Sequence, residues 1–223
     1  MKTSLWLRSG FLLLVTTVGV SATTAPIDGR QLIVAAERGD LDGVKAGLAR
    51  GLGLEERDEH GRTALMAATQ ADQVEIARVL MEAGADVNAK DERSDSPFLF
   101  AGAEGRLEIL RLTLAHGADL KSTNRFGGTA LIPACEKGHV GNVRALLKTA
   151  IELNHVNNLG WTALMETVLK KGRGPVHTEI TRLLLAAGAD PNIADQQGIT
   201  PLAHAERAGN HEIAALLKAA GGR

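Results

Sequence analysis

The sequence predicts an all-α solenoid of about six helix-turn-helix repeats, each opened by a hairpin loop. Three observations predict it. First, a phrase returns every 33 residues: Asp58-Glu-His-Gly-Arg-Thr-Ala-Leu65, then from Asp91, from Asn124 and from Asn157, and after a longer interval from Asp195. Second, a closing phrase recurs in Gly84-Ala-Asp-Val-Asn88, Gly117-Ala-Asp-Leu120 and Gly188-Ala-Asp-Pro-Asn192. A fixed period of this length marks a stacked array rather than a globule with one centre. Third, aromatics make up only 3% of the 223 residues and Tyr is absent, so the core must be built from Leu, Ala, Val and Ile. Small side chains let helices approach closely, as a tight stack requires.

Residues 1–22 read as an address rather than structure. Lys2 and Arg8 precede a short apolar run, Gly10 to Val20, and Val20 and Ala22 sit at the −3 and −1 positions of a small-residue cleavage site. That is the pattern of a secretory signal peptide, and the run is short for a spanning helix, which takes about 20 apolar residues. Cleavage after Ala22 is expected; retention as an anchor is the alternative. Removal of Lys2 and Arg8 takes two positive charges from the formal net charge of −1, leaving −3. The expected mature chain is residues 23–223, with a periplasmic destination and no membrane attachment. The single cysteine, Cys135, cannot form an internal disulfide and is expected to be buried. The near-neutral charge gives no field favouring nucleic acid.

One unit, residues 58–90, shows how each repeat should be built. Asp58 to Arg62 is a polar turn, and Thr63 can cap a first helix by accepting an orphan N–H. Ala64 to Ala71 is short and apolar and is broken at Asp72. Val74 to Met81 follows as a second helix whose apolar positions cover one face. Gly84 stands where a helix end wants a left-handed residue. Neither helix can bury its apolar side within the unit, so the neighbouring unit must cover it, and such short helices do not persist alone in water.

On these motifs the chain resembles the ankyrin-repeat family, with its D-x-x-G-x-T-P-L-H-x-A-A pattern and its G-A-D-V-N close. The resemblance implies repeats at 25–57, 58–90, 91–123, 124–156, 157–194 and 195–223. The chain departs from the family in several places. The His that follows T-P-L is replaced throughout, by Met66, Leu99, Ile132, Met165 and Ala203. Repeat four has Ala150 where Gly is usual, at a cost of about 1 kcal/mol if positive φ were kept. It also carries Pro133 inside its first helix, so it should be the most distorted unit. Repeat five is five residues long for the period, and the extra segment, Lys170 to His177, is expected to protrude as a loop between its two helices.

The family grips ligands with hairpin tips and the exposed face of the first helices. Carried onto this sequence, that implies partner contacts at Arg62, Arg93, Arg125, Phe126, Trp161, Lys137 and Lys170. Trp161 is the single tryptophan beyond the signal segment, and both it and Phe126 fall in turns of neighbouring repeats. Each ring either packs along its own hairpin stem or meets a partner; exposed aromatics flanked by Arg have the composition of interface hot spots. The basic Lys170-Lys171-Arg173 stretch reads as a solvated loop or as a contact for an acidic partner.

The seven histidines form no H-x-x-x-H set, and no P-loop, G-x-S-x-G or dinucleotide fingerprint is present. No metal or cofactor is expected, and catalysis would need convergent groups in a cavity. The expected function is therefore non-enzymatic binding of a protein partner by a monomer. The resemblance adds a narrower expectation, support of an exported oxidative-stress enzyme such as catalase. The alternatives are an inhibitor or immunity protein for a toxin or protease, and an enzyme using His60 with Glu92 or Asp95.

Overall fold

Twelve helices in six consecutive pairs run through residues 29–169 and 174–223, the part of the chain described by the computed structural model. The signal segment lies outside the described residues, as do Lys170, Lys171 and Arg173. The inner helices are α1 (Arg30–Arg38), α3 (Ala64–Gln70), α5 (Pro97–Ala103), α7 (Leu131–Lys137), α9 (Ala163–Glu166) and α11 (Pro201–Arg207). The outer helices are α2 (Leu41–Ala49), α4 (Val74–Glu82), α6 (Leu107–Ala115), α8 (Val140–Leu146), α10 (Pro175–Ala186) and α12 (His211–Ala219). There is no strand among the described residues. Every substantial helix–helix contact lies within a repeat or joins it to the next, inner helix against inner and outer against outer.

The recurring sequence phrase is a recurring hydrogen-bond device. The first residue of each hairpin, Asp58, Asp91, Asn124, Asn157 or Asp195, accepts two backbone N–H bonds on its side-chain Oδ1, from the residues two and four further on, all at 2.9–3.1 Å. Its own N–H donates to the carbonyl four residues on, which closes the turn. Neighbouring hairpins also join directly: Glu92 N donates to the His60 carbonyl at 3.1 Å and Asn158 N to the Phe126 carbonyl at 2.9 Å. The hydroxyls of Thr63, Ser96, Thr162 and Thr200 then cap the inner helices, accepting the N–H three residues ahead.

Between the helices run columns of equivalent buried side chains. Leu65, Phe98, Leu131, Leu164 and Leu202 form one; Ile76, Ile109, Ile180 and Ile213 form another. No residue could be buried this way inside one pair, so stability is shared across the boundaries between repeats.

Repeat four is distorted, and Pro133 shows how. It has no N–H for the Thr129 carbonyl, and Ile132 N takes that carbonyl instead at 3.2 Å, tightening the first turn. The Thr129 hydroxyl, fully buried, is left without a hydrogen-bond partner. In the isoleucine column, repeat four places Asn142, whose amide donates to the carbonyls of Ala101 (2.8 Å) and Gly102 (3.1 Å). At its end, Ala150 does not adopt positive φ. Instead α8 stops at Leu146, and Thr149 accepts Ile151 N while donating to the Leu146 carbonyl. The cost expected for a left-handed alanine therefore does not arise.

The end of the insertion in repeat five is helical, against the loop expected from the sequence. Pro175 is the first residue of α10, so Val176 and His177 are helical rather than looped. Proline at a helix start loses no hydrogen bond and has its φ preset. The preceding inner helix, α9, is reduced to four residues.

Candidate interaction groove

A groove of about 380 Å3 opens between the hairpins of repeats three to five and the inner helices α5, α7 and α9. Its hairpin wall carries Arg93, Asp95, Arg125, Phe126, Leu159 and Trp161; its helix wall carries Phe100, Glu104, Pro133, Lys137 and Glu166. The chain has four aromatic residues among positions 29–223, and three of them, Phe100, Phe126 and Trp161, line this one groove. The fourth, Phe98, is core. Aromatic side chains are the commonest binding anchors, so their concentration here singles the groove out.

The rings differ. Phe126 is 50% exposed, with the Arg125 guanidinium 4.6 Å from its centroid. Trp161 is partly buried and packs against the core cluster, so it serves the hairpin stem and the groove wall together. Next to Phe126 the hairpin row continues with Leu159, 47% exposed.

Most charges in the groove are matched from within. Arg125 pairs with Asp95 at 3.5 Å, and Lys137 pairs with Glu104. Glu136 and Glu166 both engage other groups. Burial pushes the Asp95 carboxyl above the usual aspartate range and the neighbouring Asp91 adds to this, against the pull of Arg125 and Arg93. Arg93 is exposed and makes no ion pair among the described residues.

Of the residues that the sequence suggested as contacts, the structure brings Arg93, Arg125, Phe126, Trp161 and Lys137 together in this groove. Arg62 stands apart. Its Nε donates to Asp58 Oδ2 at 2.7 Å, and its Nη1 bonds Glu37 at 3.1 Å and Gln70 at 2.8 Å, with the side chain only 16% exposed. It ties hairpin two to α1 and α3 and presents no free guanidinium. Lys170 lies outside the described residues. Sequence reasoning missed Phe100 and Pro133 as groove floor. They occupy the position after Leu99 and Ile132, where Ala67 stands in repeat two, and a comparison of that column across repeats would have found them.

Cys135 is fully buried, and burial, with Glu166 nearby, pushes its thiol far above the ordinary range; it is chemically inert at neutral pH. No group of three His, Cys, Asp or Glu side chains able to hold a metal occurs among the described residues. None of their helices is long and apolar enough to cross a membrane.

Stacked helix hairpins with an open lateral groove define a helical repeat solenoid, the class of protein that works as a scaffold for binding. A sequence profile described as ankyrin repeats (3 copies) matches residues 12–91 and 98–195, and the chain belongs to that family. Among solved structures, an ankyrin repeat domain from Acinetobacter baumannii AYE is 54% identical over 88% of this chain and 100% of its own, with a TM-score of 0.85. The ankyrin repeat protein EF0377 is 40% identical over 86% of this chain and 98% of its own, with a TM-score of 0.83. A chain of the complex between the predatory endopeptidase Bd0816 of Bdellovibrio bacteriovorus and the immunity protein Bd3460 shares the fold at 24% identity, covering 86% of this chain and 98% of its own, with a TM-score of 0.74. A comparison with curated proteins finds no match.

Proposed function

We propose that this protein is exported to the periplasm and there binds a protein partner, without chemistry of its own, through the groove of repeats three to five. The observation that carries the proposal is the clustering of three of the four aromatics of residues 29–223 on one open groove with Arg93 and Arg125 at its edge. The rest of the design suits binding. The hairpins are hydrogen-bonded to one another and internally capped, so little ordering entropy is lost when a partner docks. The groove is open along the hairpin row, as a docking surface must be. The narrower reading makes the partner an exported oxidative-stress enzyme such as catalase; it rests on family resemblance alone. An inhibitor or immunity role would be favoured by a dense acidic groove, whereas this one mixes Arg93, Arg125 and Lys137 with Asp95, Glu104, Glu136 and Glu166.

The test is crosslinking capture from periplasm, with N-terminal sequencing of the recovered protein. The sequence should begin at Thr23. Phe126→Ala should abolish capture while leaving the melting curve unchanged, because that ring is half exposed. Trp161→Ala is the poorer probe, since it also removes packing. Capture that survives Phe126→Ala would refute the groove as the binding site.

A further inference from the structure

The hairpin tips carry a pattern that specifies the chemistry of what docks there. The third residue of each hairpin is equivalent from repeat to repeat: His60, Arg93, Phe126, Leu159, Gln197. Read along the stack, the middle of this row is a cation, an aromatic ring and an aliphatic side chain. Phe126 and Leu159 are the two most exposed large apolar side chains among the described residues. Arg93, beside them, is the groove cation with no internal ion pair, whereas Arg125 and Lys137 are matched by Asp95 and Glu104. A guanidinium without an internal ion pair thus stands at one end of an apolar strip.

We propose, building on the groove as the binding site, that the occupant is an extended peptide segment of the partner carrying an apolar anchor side chain and, about three residues away, a carboxylate. The anchor packs on Phe126, one repeat from Arg93, and the carboxylate meets Arg93. The spacing follows from geometry. Each repeat contributes a two-armed hairpin, and paired chains lie about 4.8 Å apart, so successive repeats are roughly 10 Å apart at the tips. An extended chain advances about 3.3 Å per residue, which makes one repeat worth about three residues. A basic residue at the same place would face the like charge of Arg93. A guanidinium suits a carboxylate because its planar donors match both oxygens.

The experiment uses fluorescein-labelled ten-residue peptides and the full-length protein, with binding read by anisotropy. One peptide has Leu and, three positions away, Asp in an otherwise Ser/Thr background; the others carry Lys or Ser in place of Asp, or Asp adjacent to Leu. The first should bind about tenfold more tightly than the Lys form, the equivalent of one charge-assisted hydrogen bond. Arg93→Glu should reverse that ranking, and Phe126→Ala should weaken both peptides. Equal binding of the Asp and Lys forms, a ranking unchanged in Arg93→Glu, or no binding of any peptide would overturn the proposal. Failure here is distinguishable from failure of the groove itself. Partner capture that is lost in Phe126→Ala but indifferent to Arg93→Glu keeps the groove and removes this inference; capture indifferent to both removes the groove.

Discussion

At the scale of single residues, the same amino acid does opposite work in equivalent places. Thr63 and Thr162 spend their hydroxyls on helix caps, whereas Thr129 is buried with its hydroxyl unpartnered because Pro133 has rearranged the turn above it. Thr63→Val should therefore cost about 1 kcal/mol of unfolding free energy, while Thr129→Val should cost nothing or stabilise by about 1 kcal/mol, since an unsatisfied hydroxyl leaves the core. Urea unfolding of the two variants checks the contrast. His139 supplies a pH dependence. Burial lowers its affinity for a proton and Lys137 lowers it further, so the folded protein prefers the neutral ring. The unfolded chain then takes up the proton first as pH falls below the ordinary value of 6.5. Stability from this group is complete above that value, is lost below it, and levels off once the folded ring also protonates. Between about pH 8 and pH 5 the urea midpoint should fall less in His139→Gln than in the parent protein. Arg62 marks what the sequence hides at this scale. Its hairpin position resembles those of the groove residues, but its partner Glu37 lies 25 residues back, in another repeat. Nothing in a 33-residue period reveals that pairing.

At the scale of elements, the register of the repeats was legible because it is written in backbone chemistry. The Asp or Asn that closes each hairpin, the Thr or Ser that caps four of the inner helices and the Gly after five of the outer helices are each the few residue types that can do the job. Where the sequence departs from that register, its consequences were legible only in part. Pro133 pointed correctly to a distorted first turn, but Ala150 did not pay the expected price, because α8 ends early and the strained conformation is never formed. The reach of α10 back to Pro175 was missed because Gly172 and Gly174 on either side of Arg173 suggested a continuous loop. A sharp test lies in three positions where the repeat pattern asks for glycine. Ser94 and Asp72 do hold positive φ, 62° and 56°. Ser94→Gly should raise stability by up to about 1 kcal/mol, and Asp72→Gly by less because it also removes the Arg106 pair at 3.0 Å. Ala150→Gly should lower stability by roughly 0.5–1 kcal/mol, since it adds chain entropy without relieving strain. Thermal melts of the three variants would separate these signs; a gain for Ala150→Gly would show that the end of repeat four has been misread.

At the scale of the whole molecule, the fold is a row of units that each lack a core of their own, and that deficit is what leaves a long flank open. The outer helices show the contrast. Their charges pair locally or with the next repeat, as in Glu108 with Arg111 at 2.7 Å and Arg182 with Glu179 at 2.8 Å. Exposed pairs of this kind add little stability and present a balanced face to water. The inner flank instead gathers aromatic surface and an unmatched guanidinium. The sequence could announce the stack from its period, but not which stretch of the flank would be the groove. That depends on Phe100, Pro133 and Trp161, from three different repeats, converging in space. The most direct test is a photocrosslinking amino acid placed at position 126 in one variant and at position 78, on the outer helix α4, in another, with irradiation in periplasmic extract. A discrete protein adduct from position 126 and none from position 78 is the predicted result; adducts from position 78 alone would contradict the assignment of the binding face.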